Sequence, residues 1–106
     1  MATGRLGAAD LAAATNTTVY TCPADTFAVL TVSVCNRGAT AVTVQIAITT
    51  SATPSASEYL EFDTSLSAKG VLERTGIVLD AGKLLVVRSS ATSVNAVAYG
   101  IETSTV

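Results

Sequence analysis

Residues 28–49 of the chain read AVLTVSVCNRGATAVTVQIAIT, and this stretch decides the fold class. Apolar and polar residues alternate with a period of two, which places successive side chains on opposite faces of a β-strand. We therefore predict two half-buried strands at 28–36 and 41–49. The predicted inward face consists of branched aliphatic side chains: Leu30, Val32, Val34, Val44, Ile46 and Ile48.

The segment between these two strands has the composition of a tight turn. Asn36 and Gly38 both tolerate the positive φ that a short turn requires. We predict that this segment joins the two strands as a β-hairpin.

Further short segments rich in β-branched residues follow the same pattern. We predict strands at 17–22, 58–63, 83–89 and 94–102, and at 71–75 with 77–79 on either side of a bulge or bend at Gly76. Many short strands separated by turn residues are typical of sandwiches and small barrels. The fold class predicted is all-β: an antiparallel β-sandwich, jelly-roll-like, with seven or eight strands, forming a single domain over residues 17–106.

The first sixteen residues lack this alternation. Residues 8–14 are rich in good helix formers, but only Leu6 and Leu11 could anchor such a helix. We therefore predict that residues 1–16 form an N-terminal arm, either one short turn or an extended segment, that lies on a neighbouring subunit.

Two segments are apolar on both faces of their predicted strands, namely 76–79 and 84–87. Strands of this kind are covered on both sides. The cover could be a loop or the arm of the same chain, or it could be another subunit. Large exposed apolar patches are rare on monomers, which favours a subunit interface. The candidate interface residues are Leu6, Leu11, Ile77, Leu79, Leu85 and Val87.

The composition restricts the class of partner. Charged residues make up only 13% of the chain and mean hydropathy is +0.51, whereas soluble domains average about 25% charged residues. The apolar runs are too short for a membrane-spanning helix of about 20 residues. The six basic residues are scattered in a chain of net charge −2, which excludes the clustered charge that nucleic acid binding needs. We expect protein partners, no membrane and no nucleic acid.

The chain offers little catalytic chemistry. It contains no histidine, so its serines lack the usual general base, and its glycines form no phosphate-binding motif. Glu58, Glu61 and Asp63 form the acidic cluster of the chain. They could be a glycosidase carboxylate pair or a hard-cation site, but the solvent-exposed face of an edge strand is the preferred interpretation. We predict no enzyme activity, no cofactor and no metal.

The two cysteines, Cys22 and Cys35, are predicted to be reduced. Residues 1–14 lack the unbroken apolar stretch of a secretion signal, so we expect synthesis in the cytosol, where disulfides are rare. A disulfide remains the alternative if their strands are neighbours.

The aromatic residues could serve as a sugar-stacking platform, but without tryptophan a place in the core is preferred. They are Tyr20, Tyr59, Tyr99, Phe27 and Phe62.

Four stretches of the chain resemble the small virion proteins of tailed bacteriophages. They are TVYTCPADTFAVLTVSVCNRG at 18–38, EYLEFDTSL at 58–66, GVLERTGIVLDAGKLLVV at 70–87 and VNAVAYGIETSTV at 94–106. The resemblance is closest to the proteins of phages that infect cyanobacteria, and it covers nearly the whole chain.

The resemblance implies a β-sandwich present in many copies on the particle, and it supplies no catalytic residues. The expected function is therefore a non-enzymatic structural component of a phage virion. Its place could be capsid decoration or cement, or association with the tail, baseplate or fibre. We expect it to be made and assembled in the host cytoplasm, with copies of itself and other virion proteins as partners. The alternative is a carbohydrate- or receptor-binding β-sandwich module.

Overall fold

A computed structural model describes residues 2–106, which form eight antiparallel strands and no helix. Met1, the first residue of the predicted arm, lies outside the described residues. The strands are β1 Thr3–Leu11, β2 Thr17–Thr21, β3 Thr26–Asn36, β4 Val42–Thr49, β5 Tyr59–Leu66, β6 Val71–Leu79, β7 Leu84–Ser89 and β8 Val94–Ser104.

The strands pair from the two ends of the chain inwards. β1 pairs with β8, β2 with β7, β3 with β6 and β4 with β5. Two further pairings, β3 with β8 and β4 with β7, close this long ribbon into two sheets. The front sheet has the order β1-β8-β3-β6 and the back sheet the order β2-β7-β4-β5. A ribbon rolled up in this way is a jelly roll, so the predicted all-β class is confirmed.

The core lies between the inner faces of the two sheets. The predicted inward residues of β3 are confirmed, since Leu30, Val32 and Val34 are buried. On β4, the side chains of Val44 and Ile46 are fully buried, whereas Ile48 faces the core opposite Leu85 and is only half-buried. The assignment of faces from the alternation is therefore right for both strands.

The predicted β3–β4 hairpin is wrong, because the two strands lie in different sheets. The chain crosses from front to back after Asn36, which is 1% exposed. Its amide Nδ2 donates to the carbonyl oxygens of Thr40 (2.9 Å), Leu66 (3.3 Å) and Ser67 (3.1 Å), and its Oδ1 accepts from the N–H of Gly38 (2.9 Å). Asn36 therefore serves as a buried polar anchor for an arch between the sheets, not as a hairpin turn residue.

The predicted N-terminal arm is also wrong over the described residues, because Thr3–Leu11 forms the edge strand of the front sheet. The chain's own sandwich therefore begins at β1 and not at residue 17. Alternation is hidden here because the inward positions of β1 include Gly7. A Cβ at Gly7 would lie 2.1 Å from the carbonyl oxygen of Val19, so the close approach of β2 requires glycine.

The predicted bulge at Gly76 is confirmed. Leu30 pairs with Ile77 and Val32 with Arg74, so Thr75 and Gly76 both oppose a single residue of β3. Gly76 has a φ of +70°, a conformation that glycine adopts without steric cost. The bulge keeps 71–79 as one continuous strand, which leaves seven strands within residues 17–106, and β1 is the eighth.

Polar contacts tie the two sheets together at both open sides of the sandwich. On the β1–β2 side, the hydroxyl of Tyr20 donates to Glu102 Oε2 (2.5 Å), and the N–H of Ala2 donates to Glu102 Oε1 (2.9 Å). On the opposite side, Arg74 of β6 pairs with Glu61 of β5 at 3.2 Å. These contacts leave the outer faces of both sheets open to other molecules.

Candidate functional site

The outer face of the front sheet carries an aligned row of exposed aliphatic side chains. Val78, Val29 and Ile101 lie directly opposite one another on β6, β3 and β8. Their side chains are 56%, 37% and 47% exposed, respectively. We call these three residues the outer row. Single exposed apolar residues are ordinary on a protein surface, but a row across three strands forms a continuous apolar surface.

Polar groups flank the outer row. Tyr99 lies two residues before Ile101 on the same face, and its hydroxyl donates to Glu73 Oε2 (2.9 Å). This hydrogen bond to a carboxylate raises the pKa of Tyr99 above its usual value of 10. The Tyr99 hydroxyl therefore stays protonated at neutral pH and continues to donate to Glu73.

None of the six residues predicted to form the interface belongs to the outer row, and the prediction is wrong for the five that are buried. Five of them are buried within the chain's own core and Leu6 is half-buried against it; the five are Leu11, Ile77, Leu79, Leu85 and Val87. A side chain buried inside its own sandwich presents no surface to a partner. Residues 76–79 of β6 are apolar on both faces, as predicted, but the residue that faces outwards is Val78.

On strand β7, the outward-facing side chain is covered by the chain itself and not by another subunit. Val86 points away from the core, yet it is only 2% exposed. It lies between Thr18 and Ala47 in the register of the back sheet, and Ala47 is 1% exposed. The two doubly apolar segments therefore differ, since β6 leaves its outward residue open whereas β7 does not.

A polar cleft of about 300 Å³ lies on the outer face of the back sheet. It is lined by Ala14, Thr43, Gln45, Asp63, Arg88 and Ser90. The floor comes from the two central strands, where Gln45 of β4 is directly opposite Arg88 of β7. Below this pair, the N–H of Thr43 donates to Ser90 Oγ (3.0 Å) and the N–H of Ser90 donates to the carbonyl oxygen of Thr43 (3.0 Å).

The two walls of the cleft are formed by Asp63 and Ala14, whose backbones have positive, left-handed φ angles. Asp63 has a φ of +51° within an irregular stretch of the β4–β5 ladder, and its Oδ1 accepts a hydrogen bond from Gln45 Nε2 (2.8 Å). Ala14, with a φ of +52°, is held in place by its N–H, which donates to the carbonyl oxygen of Ser89 (2.8 Å). Asp tolerates this conformation, whereas Ala adopts it rarely.

An exposed aromatic ring lies on the same face as the cleft. Tyr59 is opposite Ala47 on the outer side of the back sheet. The ring of Phe62 meets the ring of Tyr59 edge-on, with centroids 4.9 Å apart and planes at 79°. Phe62 is 61% exposed. The preferred prediction that the aromatics are core residues is therefore confirmed for Tyr20 and wrong for Phe62 and Tyr99.

The three acidic residues of the predicted cluster each have a different role. Glu58 accepts hydrogen bonds from the N–H groups of Ser55 (2.9 Å) and Thr50 (3.2 Å), and so organises the β4–β5 connection. These bonds lower the pKa of Glu58. Glu61 pairs with Arg74, and Asp63 with Gln45. Asp63 is exposed on the edge strand β5, as the preferred interpretation requires. Glu61 departs from it, because it lies opposite the buried Ile46 and its side chain is only 18% exposed.

The two cysteines are free thiols in different surroundings. Cys22 is buried, with its Sγ 3.4 Å from the carbonyl oxygen of Thr26 at the start of β3, and burial raises the pKa of its thiol. Cys35 lies near the other end of β3, on the outer face, opposite Val71. The nine residues from Thr26 to Cys35 span roughly 30 Å of strand, far beyond the reach of a disulfide.

The contact between Tyr20 and Glu102 is the most strongly perturbed titratable pair. Burial raises the pKa of Tyr20 well above its usual range, and the hydrogen bond to Glu102 raises it further. The same hydrogen bond, together with the one from Ala2, lowers the pKa of Glu102 below 4.5. Tyr20 is therefore a permanent donor and Glu102 a permanent acceptor at neutral pH, which suits a structural tie between the sheets.

The sequence contained a partial signal for the functional surfaces. The outer row consists of β-branched residues that lie next to inward-facing residues in the chain. Once the inward face of a strand is known, the sequence therefore indicates that they face outwards. The cleft had no such signal, because Arg88, Gln45 and Asp63 come from three strands whose order depends on the topology.

No protein-family model matches the chain, and a search of curated proteins returns no match. Residues 2–106 contain no helix of the length and apolar character needed to cross a membrane. Over the same residues, no group of three or more Cys, Asp or Glu side chains is arranged to hold a metal ion.

Proposed function

We propose that this protein is a non-enzymatic structural subunit of a tailed-phage virion, and that it packs through the outer face of its front sheet. The observation that carries the proposal is the outer row, which exposes Val78, Val29 and Ile101 side by side on the outer face of the sheet. A surface of this kind is usual where another protein covers it.

Three further features support the proposal. The chain has only 13% charged residues, which suits a subunit whose surroundings are partly other protein. Its jelly-roll fold is one that capsid proteins use, although lectins and enzymes use it too, so the fold counts only as analogy. The resemblance of its sequence segments to small phage virion proteins points the same way.

The geometry of the front sheet favours a second copy of the chain as one occupant. Arg5 lies on the β1 edge of the outer face, opposite Tyr99, and Glu73 lies on the β6 edge, opposite Ser33. A two-fold axis parallel to the strands would bring the β1 edge of one copy over the β6 edge of the other. Arg5 of each copy would then lie about two residues along the strand from the partner's Glu73, within reach of its long side chain, which makes the face self-complementary in charge.

The size of this face indicates a weak contact between isolated copies. Four strands about 4.8 Å apart and nine residues at about 3.3 Å each give a face of roughly 19 by 30 Å. A two-fold pair would bury about 1,100 Å² in total, just below the standard size of a stable interface. Stable assembly would therefore depend on many copies held on one particle, together with other virion proteins.

The proposal covers two kinds of location on the particle. One is capsid decoration or cement, and the other is association with the tail, baseplate or fibre. In both, the subunit is made and assembled in the host cytoplasm and acts in the virion without catalysis.

The second candidate function is a carbohydrate- or receptor-binding module. The observation that favours it is the polar cleft of the back sheet, whose lining residue Asp63 follows the exposed Phe62 in the chain.

Sedimentation velocity tests the packing surface. The sedimentation coefficient of the wild type should rise with concentration up to about 1 mM, as expected for a weak contact. Ile101→Lys, which places a charge in the outer row, should abolish this rise. Val106→Lys is the matched control, since Val106 is 93% exposed and lies outside the row. If the wild type stays monomeric, or if both variants behave alike, the front sheet is not the self-packing surface.

A second experiment tests the virion assignment. Particles that contain the protein should carry it through successive density-gradient steps at a fixed ratio to the major capsid protein. Loss of the protein during these steps would contradict the assignment, whatever the sedimentation of the free chain.

A further inference from the structure

The cleft on the back sheet brings hydrogen-bond donors and acceptors of both charge signs into one small space. Arg88 supplies a guanidinium group with five N–H donors, and Asp63 supplies carboxylate acceptors. Gln45 lies between them in the strand order and holds Asp63 in place through Nε2. Thr43 and Ser90 also line this space.

The spacing of the charged groups selects the chemistry of the ligand. Arg88 is on β7 and Asp63 on β5, with β4 between them, so their backbones are about 10 Å apart across the sheet. An anion that approached Arg88 would also meet the Asp63 carboxylate, and a cation that approached Asp63 would meet Arg88. A pair of neighbouring hydroxyl groups satisfies both residues, because each hydroxyl can donate to a carboxylate and accept from a guanidinium.

Arg88 is available for such a ligand. Among the ion pairs formed within residues 2–106, none includes Arg88. Its side chain is half-buried, so its stem is held against the sheet while the cleft remains open.

Phe62, the residue before the lining residue Asp63, carries an aromatic ring that is 61% exposed. The ring is fixed by its edge-on contact with Tyr59, which lies on the same outer face. Pockets for small ligands usually combine apolar and aromatic surface with a few fixed polar groups. The volume, about 300 Å³, is at the small end of the usual range and suits a ligand of one sugar ring.

The walls of the cleft are set by unusual backbone geometry. Asp63 and Ala14 both have left-handed φ values, of 51° and 52°. Non-glycine residues in such conformations tend to occur at binding sites, where the surrounding structure enforces them. Both walls are held from behind, Asp63 by Gln45 and Ala14 by Ser89.

We propose that this cleft binds the vicinal hydroxyl groups of a pyranose, with Arg88 and Asp63 as the polar contacts and Phe62 beside the apolar face of the sugar ring. This inference rests on the back sheet alone. It does not depend on the packing of the front sheet or on a place in the virion.

Nuclear magnetic resonance titration of the full chain tests the proposal. The probes are the methyl glycosides of glucose, mannose and galactose, which differ in the axial or equatorial placement of their hydroxyl groups. At least one should cause saturable shifts at the amides of the cleft residues at concentrations up to about 100 mM. Sodium acetate serves as the probe for a simple anion site. Absence of saturable shifts with all three glycosides, or equal shifts with acetate, would overturn the proposal.

Two variants and a matched control complete the test. Asp63→Asn should weaken binding of the responding glycoside by about tenfold or more, as expected for loss of a charged hydrogen bond. Arg88→Gln should have a similar effect. Asp25→Asn is the control, because Asp25 is also an exposed aspartate with a left-handed φ, of 55°, but lies outside the cleft. Retained peak dispersion would show that each variant is folded, and unchanged affinity in folded Asp63→Asn and Arg88→Gln would contradict the proposed contacts.

Discussion

The two sheets have similar inner faces and opposite outer faces. Inside, both present fully buried branched side chains, such as Val32 in front and Val87 at the back. Outside, the front sheet leaves Val78 56% exposed, whereas the back sheet covers Val86 to 2% and opens instead into a polar cleft. Strands β6 and β7 thus share an apolar sequence pattern, but the outward side chain is exposed to solvent on β6 and covered on β7. The pattern determines which residues share a face, but the tertiary structure determines what covers that face.

The largest expected effect contrasts an inner isoleucine with an outer one. Ile46→Ala should lower the free energy of unfolding by about 2–5 kcal/mol, because its side chain is fully buried and a cavity would remain. Ile101→Ala, in the outer row, should cost less than about 1 kcal/mol. Urea denaturation of the two variants measures both values. A comparable loss in both would show that the outer row belongs to the core.

The next effect concerns the arch that carries the chain from one sheet to the other. Asn36→Ala should lower the free energy of unfolding by about 1–3 kcal/mol, because three carbonyl oxygens lose the donor they share. Asn95→Ala is the control, since Asn95 is half-buried on the outer face of the front sheet. Thermal unfolding followed by circular dichroism gives the comparison. Equal midpoints for the two variants would be inconsistent with an anchoring role for Asn36.

A matched pair of valines tests the difference between the outer faces directly. Val86→Ala should cost about 1.5 kcal/mol, because two buried methyl-sized groups are lost from the covered face. Val78→Ala should cost less than about 0.5 kcal/mol, because that side chain is already open to solvent. Both values come from chemical denaturation at one temperature. A larger loss of stability for Val78→Ala than for Val86→Ala would contradict the assignment of Val78 as exposed and Val86 as covered.

The smallest effect is a pH dependence at the side where Tyr20 and Glu102 tie the sheets together. The pKa of Glu102 is lowered in the folded protein, so its contribution is present above pH 4.5 and is lost as the pH falls through the folded pKa. Glu102→Gln should therefore lower the unfolding midpoint at pH 7, and the gap to the wild type should close below pH 4.5.

Tyr20→Phe provides the control for this pH dependence. Without the tyrosine hydroxyl, the additional effect of Glu102→Gln at pH 7 should be smaller than in the wild-type background. Additive effects of the two substitutions would show that the hydrogen bond does not couple the two residues.

Much of the fold was predictable from the sequence, because strands β3 and β4 carry strong alternation of branched aliphatic residues. β1 was not, since close approach to β2 requires Gly7 where a strand pattern would have an apolar side chain. The turn-like residues at Asn36 were read as a hairpin, because local preference for a turn says nothing about which sheet receives the next strand. The predicted interface residues on β6 were Ile77 and Leu79, which face the core. The residue between them, Val78, faces outwards and belongs to the outer row.

The cleft was beyond reach of the sequence for a different reason. Its polar residues are far apart in the chain, and only the order β7-β4-β5 places Arg88, Gln45 and Asp63 in one line. That order is a property of long-range pairing, which the spacing of individual residues does not encode.

The pairing of strands from the two ends of the chain inwards also dictates how the protein folds in time. β4 and β5 are joined by the short connection 50–58, whereas Thr3 must find Ile101 near the other end of the chain. Because closing longer loops costs more entropy, we expect the ribbon to zip from β4–β5 outwards and to fold slowly, in milliseconds to seconds. On the ribosome, β1 is made first and must wait for β8, so the nascent chain exposes unpaired strand edges that chaperones could recognise.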